Sequence, residues 1–113
     1  MKLMVFVLNK EEKLEEVLEG FLEIGIKGAT VIESVGMGKI ISSDIPIFAG
    51  LRELFVSASP HNRTIFSVIE DSQVDDVIHI IEKIMGNIRE EPGKGIIFFL
   101  DVYKFVGAEE TLK

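Results

Sequence analysis

Three segments of this chain, 3–8, 65–69 and 96–100, are apolar on both of their alternating faces, and Ser67 is the one polar side chain among them. Runs of this length, rich in Val, Ile and Phe, are typical of β-strands. An antiparallel sheet with one face in water would instead alternate apolar and polar residues. We therefore predict a symmetric homo-oligomer whose copies cover the second face of the sheet. The alternative is that the long central connection folds back over that face.

Two amphipathic segments separate the strands. The first spans 11–24, with Asn9 and Glu12 as an expected capping box and Gly25 as its end. The second begins with Asp71 or Ser72 as its cap and ends at Gly86. Their apolar positions recur at helical spacing and form one stripe on each segment: Leu14, Val17, Leu18, Phe21 and Leu22, then Val74, Val77, Ile78, Ile81, Ile84 and Met85.

Further strands are expected at 29–35 and at 95–102, the latter continuing towards Val106. The order is then β-α-β, a long connection, and β-α-β. This order predicts an α+β, ferredoxin-like βαββαβ fold, with a four-stranded antiparallel sheet and the helices on one face. We expect one domain over 1–113, with 36–62 as a long regulatory-type loop.

Composition narrows the classes of function. The absence of cysteine excludes thiolate metal sites and cysteine nucleophiles, and 19 acidic against 12 basic residues give a net charge of −7. Such a chain repels phosphate backbones, so we expect no nucleic-acid partner. No apolar run is long enough to span a bilayer or to serve as a signal peptide, so we expect a cytoplasmic protein that is not membrane-inserted. We find no catalytic set and no metal site, since His61 and His79 are expected to be solvated.

The central connection is too apolar to be a flexible linker. Asp44 followed by Pro46 is a helix-start signal, and we predict a short helix near 46–55. Its apolar stripe either packs as core or binds a partner, and these two interpretations stay open. The candidate partner-binding residues are Phe48, Leu51, Leu54 and Phe55.

Two glycine clusters flank strand ends, Gly36-Met37-Gly38-Lys39 and Pro92-Gly93-Lys94-Gly95. Glycines let backbone amides approach a phosphate, and a nearby lysine supplies the counter-charge. Such clusters are more often simple turns, and neither is a Walker loop.

Several motifs together resemble the nitrogen-regulatory PII family of signalling proteins. The stretch Gly28-Ala29-Thr30-Val31 leads into Gly36-Met37-Gly38-Lys39, where the family has Gly-x-Thr-Val and Gly-Phe-Gly-Arg. Asp71-Ser72-Gln73-Val74-Asp75 matches a frequent start of the family's second helix, and Gly93-Lys94-Gly95 matches its Gly-Asp-Gly. These motifs follow the family's order and spacing, and the resemblance covers nearly the whole chain.

The resemblance implies a homotrimer that binds an adenine nucleotide such as ATP or ADP between subunits. It also implies a protein target, a membrane transporter or an enzyme, held by the long loop. By position, Thr30 would lie near the base, and the phosphates would lie near Gly38, Lys39, Gly93, Lys94 and Gly95.

The chain departs from the family pattern at four places. Ile96 replaces a phosphate-binding lysine, Ile40 replaces a glutamine, and Gly107-Ala108-Glu109-Glu110 replaces arginines. The modified loop tyrosine is absent, since Tyr103 is the single tyrosine. Alternatives are a protein-interaction module without a small-molecule ligand, an ACT-like amino-acid sensor, or a CutA-like trimer, which the lack of cysteine disfavours.

Overall fold

One four-stranded sheet organises the part of the chain that this computed structural model describes, residues 1–44 and 61–108. Its strands are β1 (Lys2–Leu8), β2 (Thr30–Ser34), β3 (Asn62–Ile69) and β4 (Gly95–Asp101), in the spatial order β2-β3-β1-β4 with all neighbours antiparallel. Helices α1 (Leu14–Glu23), α2 (Met37–Asp44) and α3 (Val74–Met85) follow β1, β2 and β3. The predicted ferredoxin-like α+β fold is confirmed.

The hydrophobic core lies between the sheet and helices α1 and α3. On the central strand β1, Met4, Phe6 and Leu8 alternate towards the helices and are fully buried. Their side chains pack in one cluster with the apolar stripes of both helices, as the helical spacing predicted. The helix side of this cluster is formed by Val17, Phe21, Val77 and Ile81.

Local geometry differs from the sequence prediction at the start of each helix. A 3-10 turn, Glu11–Lys13, precedes α1, and its N-cap residue Lys10 makes no side-chain cap hydrogen bond, so the expected Asn9 capping box is wrong. A capping box does form before α3, between Glu70 and Gln73, one residue earlier than predicted. The side chain of Lys10 has no acceptor for the backbone N–H groups of the turn, whereas Glu70 and Gln73 supply carboxylate and amide oxygens.

The ends of the elements follow the glycines and the strand register. Gly25 lies two residues after the end of α1 and Gly86 directly follows α3, with positive φ angles of 89° and 83°, which agrees with the predicted stops. Strand β4 ends at Asp101, so the expected continuation towards Val106 is wrong. The reason is that its partner β1 begins at Lys2, which pairs with Asp101. Beyond that pair, the N–H of Val102 donates one further hydrogen bond, to the carbonyl of Met1.

Helices α1 and α3 lie close together at Gly20. A Cβ atom on Gly20 would lie 2.6 Å from Cγ2 of Ile80 and 3.3 Å from Cδ1 of Ile84. The first distance is shorter than any normal carbon–carbon contact, and Cγ2 is fixed close to the backbone of a β-branched residue. Gly20 therefore sets the distance between the two helices.

We predict that Gly20→Ala lowers the free energy of unfolding. Helix propensity alone favours alanine by about 1 kcal/mol, but overpacking a close contact costs about 1–3 kcal/mol. Urea unfolding at fixed protein concentration measures the balance, with Glu19→Ala on the exposed side of α1 as the control. Adding Ile80→Leu, which removes Cγ2, should recover part of the loss. A single Gly20→Ala variant more stable than wild type would contradict the proposed helix contact.

Candidate functional site

The face of the sheet away from α1 and α3 is largely apolar, and we call it the open face. The register aligns its side chains in rows across the strands: Val68, Leu3 and Leu100 form the first row, and Thr30, Phe66, Val5 and Phe98 form the second. A third row consists of Ile32, Thr64, Val7 and Ile96. Most positions in these rows are apolar, which is unusual for a sheet face in contact with water.

Exposure on the open face rises from the centre to the edges. Val5, at the centre, is 6% exposed, whereas Phe98 and Ile96 on the edge strand β4 are 45% and 60% exposed. Phe98 faces away from the helices because its neighbour Phe99 pairs with the inward residue Met4. Phe105, beyond β4, lines a cleft of about 390 Å³ over Leu3, Thr30, Phe66 and Val68.

One end of the open face is polar, and its polar groups bond to one another. Ser34 donates a hydrogen bond to the Oδ1 atom of Asn62, and the Ser34 and Thr64 hydroxyls are 2.8 Å apart. Asn62 is only 6% exposed. Sequence reasoning placed Asn62 in a loop, since asparagine is uncommon in strands and its partner Ser34 is distant in the chain.

The first glycine cluster, expected in a loop, lies at the start of α2. Gly36 accepts the first helical hydrogen bond, from the N–H of Ile40 at 3.3 Å, so it is the N-cap residue. Gly38 is buried in the first turn, and Lys39 is half-buried beside it. Glycine disfavours a helix interior but is accepted at the N-cap, and the first turn has no internal partners to lose. The glycines therefore did not prevent a helix here.

The second glycine cluster has one glycine that the sheet itself requires. A Cβ atom on Gly95 would lie 2.7 Å from the carbonyl oxygen of Val7 and 3.0 Å from Cε1 of Phe6. Strand β4 could not pair so closely with β1 if a side chain stood there. Gly93 has a positive φ of 85°, a backbone conformation that favours glycine, so the geometry of the turn is enough to explain this residue.

Lys94, between these glycines, is turned inward. Its Nζ atom lies 2.8 Å from Oε2 of Glu91, and the side chain is 22% exposed. A Cβ atom on Gly86 would lie 2.9 Å from the same Nζ atom. The lysine amine is therefore held on the helix side of the sheet.

The two clusters lie at the same end of the sheet but at opposite edges. Ser34, at the end of β2, pairs with Asn62, while Leu8 at the same end of β1 pairs with Gly95 of β4. Three strand spacings separate the edges, about 14 Å. One subunit therefore does not bring Lys39 and Lys94 to a single phosphate chain.

Thr30 lies apart from both glycine clusters. It is four residues before Ser34 on β2, which is about 13 Å in an extended strand. It lines the cleft on the open face with Gly28 and Phe105. The candidate nucleotide-binding residues thus occupy three separate places on one subunit.

The candidate partner-binding residues Phe48, Leu51, Leu54 and Phe55, and the predicted helix near 46–55, lie outside the described residues. The adjoining part of the connection is described, and it is apolar at its surface. Met37 is 68% exposed and Ile40 is 43% exposed on α2, after Val35, which is 46% exposed.

An ionic cluster lies at the other end of the sheet. The pKa of Asp71 is lowered, first by a hydrogen bond from the amino group of Met1 and then by the charge of Lys2. The pKa of Lys2 is raised, chiefly by its hydrogen bond to Asp101. These charges join β1, β4 and the start of α3 away from the glycine clusters.

Residues 1–44 and 61–108 contain neither a candidate membrane span nor a candidate metal site. No helix in these ranges has both the length and the apolar character needed to cross a bilayer. Nor do His, Asp and Glu side chains there form a group of three or more that could hold a metal ion.

We predict that Gly95→Ala lowers the free energy of unfolding whether or not a nucleotide is present. The added methyl group would overlap a backbone oxygen of β1, and overpacking of this kind costs about 1–3 kcal/mol. Thermal or urea unfolding measures the effect, and Glu90→Ala in the same connection is the exposed control. Unchanged stability in Gly95→Ala would mean that strand packing does not require this glycine.

Comparison with known proteins gives one family. The family model described as nitrogen regulatory protein P-II matches residues 1–109, which is almost all of the 113 residues. Among curated proteins, none matches the chain significantly.

Proposed function

Since the chain belongs to the nitrogen regulatory protein P-II family, whose members are generally regulatory and not enzymes, we propose that it is a homotrimeric signalling protein of the cytoplasm. In this proposal, each boundary between subunits binds an adenine nucleotide, ATP or ADP. The connection 36–62 contacts a protein target. The whole chain, 1–113, acts as one domain.

The observation that carries the proposal is the placement of the two glycine clusters. They lie at one end of the sheet on opposite edges, β2 and β4. A closed ring of copies in head-to-tail contact brings the β2 edge of one copy to the β4 edge of the next. Gly38 and Lys39 of one subunit would then face Gly93, Lys94 and Gly95 of its neighbour across one cleft.

The open face supports the same assembly. Ile96, Phe98 and Leu100 are about half exposed in the single chain, together with Ile32 on the opposite edge strand. Complete burial of a large apolar side chain contributes about 1.5–3 kcal/mol. Packing the open faces around a common axis would bury these residues in each copy, which supplies a driving force for association.

The local chemistry argues for weak nucleotide binding. Lys94 is paired with Glu91, so a phosphate group must compete with a carboxylate for the amine. Ile96, where the family has a lysine, carries no charge and lies on the apolar open face. By the family resemblance, Glu109 and Glu110 stand at the positions of arginines, and acidic residues near a triphosphate would repel it.

A second candidate is an interaction module without a small-molecule ligand. The exposed apolar residues Val35, Met37 and Ile40 favour it, because they precede the stripe at Phe48 and Leu51 in the same connection. In this case the glycines serve the turn and the strand packing only. The two candidates differ in nucleotide binding, which can be measured directly.

We predict that the Phe98→Asp variant does not form the trimer that we propose for the wild type. An unpaired charge buried in the interface costs several kcal/mol. Sedimentation velocity at micromolar concentration should give a trimer mass for wild type and a smaller mass for the variant. Leu22→Asp is the matched control, since Leu22 is 61% exposed on α1, away from the open face.

Two results would contradict the assembly. One is a folded wild-type protein with the mass of a monomer. The other is dissociation by Leu22→Asp to the same extent as by Phe98→Asp. If the wild type is a monomer, a loss of stability in Phe98→Asp without a change of mass would indicate that another segment of the same chain covers the open face.

We predict that Lys39→Ala and Lys94→Ala each weaken binding of ATP and ADP. A charge-assisted contact to phosphate contributes about 1.5–3 kcal/mol, which corresponds to a loss of roughly ten- to a hundredfold. Calorimetric titration measures the dissociation constants, with Lys27→Ala as the control because Lys27 is an exposed lysine between α1 and β2. Absence of any binding by wild type at millimolar nucleotide would favour the interaction module.

A further inference from the structure

Four lysines line one cleft on the helix side of the molecule, although the chain as a whole has a net charge of −7. We call this cleft of about 390 Å³ the lysine pocket. Besides the lysines, its lining includes Glu12 and the end of α3. The lysines are Lys10, Lys13, Lys83 and Lys94.

The fold brings these lysines together from three distant parts of the chain. Lys10 and Lys13 lie between β1 and α1, Lys83 is in the last turn of α3, and Lys94 precedes β4. The pocket is complete within one subunit. It shares Lys94 with the nucleotide cleft proposed above, but it needs no second subunit and does not include Lys39.

Positive charge in the pocket is only partly neutralised. Lys94 pairs with Glu91 at 2.8 Å, and Lys13 lies 3.5 Å from Glu16. Within residues 1–44 and 61–108, the structure gives no ion pair for Lys10 or Lys83. Like charges around one cleft repel each other, and a bound anion would remove that repulsion.

Two features of the backbone favour binding of an anion in the pocket. Gly86 has a φ of +83° and no side chain, which leaves the space that the Nζ atom of Lys94 occupies. Lys10 and Lys13 are the N-cap residues of the 3-10 turn and of α1, so both lysines lie at the N-terminal end of this helical segment. The positive end of α1 thus begins at a pocket that already contains four lysines.

We propose that the lysine pocket binds a small polyanion of the phosphate or pyrophosphate class within a single subunit. The ammonium groups of the lysines would hold its oxygens. The competing explanation is that Lys83 and Lys94 only complement the carbonyl groups at the end of α3. That explanation predicts an effect of these lysines on stability and no binding of an anion.

Titration of the full chain with pyrophosphate in magnesium-free buffer tests the proposal. Amide NMR signals near Lys10, Lys13 and Gly86 should shift and saturate, and calorimetry should give the dissociation constant. Lys10→Gln and Lys83→Gln should each weaken binding about fivefold, the effect of one unit charge near an anion in a solvated cleft. Glu12→Gln should strengthen binding, because it removes a negative charge from the pocket lining.

Lys27→Gln is the matched control, since it changes the net charge equally but lies outside the pocket. It should leave the dissociation constant unchanged, and thermal unfolding confirms that each variant is folded. Weakening by Lys10→Gln and Lys83→Gln, which lie outside the nucleotide cleft, identifies the pocket by itself, so the proposal can hold even if nucleotide binding fails. Lack of saturation at millimolar pyrophosphate, or equal weakening by Lys27→Gln and Lys83→Gln, would overturn it.

Discussion

Rows of mainly apolar side chains cross the sheet on the side that α1 and α3 leave uncovered. The helices bury the inward residues of β1 completely, but Ile96, Phe98 and Leu100 on the other side stay about half exposed. Water disfavours a surface of this kind, and a second layer of protein removes it from water. The proposed trimer, its subunit boundaries and the nucleotide clefts all depend on how this face is covered.

The same sheet geometry determines where phosphate-binding chemistry can occur. The antiparallel register places both glycine clusters at one end of the sheet, and the strand order places them on opposite edges. Lys39 and the second glycine cluster therefore lie on opposite edges of one subunit, and the proposed nucleotide cleft needs a second copy. Lys94 is turned towards Gly86 and the helix side, where it joins three other lysines in a pocket of one subunit.

Hydrophobic periodicity was sufficient to predict the fold, because it reports directly which side of each strand or helix is buried. The two glycine clusters were also recognisable, but their placement on opposite edges depends on strand order, which no local pattern contains. Helix α2 was missed because two glycines argue against a helix unless their N-cap and first-turn positions are known. The lysine pocket was missed because Lys10, Lys83 and Lys94 are distant in the chain and meet only in the fold.

Protection of the open face from solvent tests the account most directly. A soluble paramagnetic agent broadens methyl NMR signals according to their contact with water, so it can be applied to the intact wild-type protein. The account predicts that the methyl groups of Ile32, Ile96 and Leu100 are protected, while Leu22 on the exposed side of α1 is broadened. Equal broadening of Ile96, Leu100 and Leu22 in the folded protein would show that the face is open to water and would contradict it.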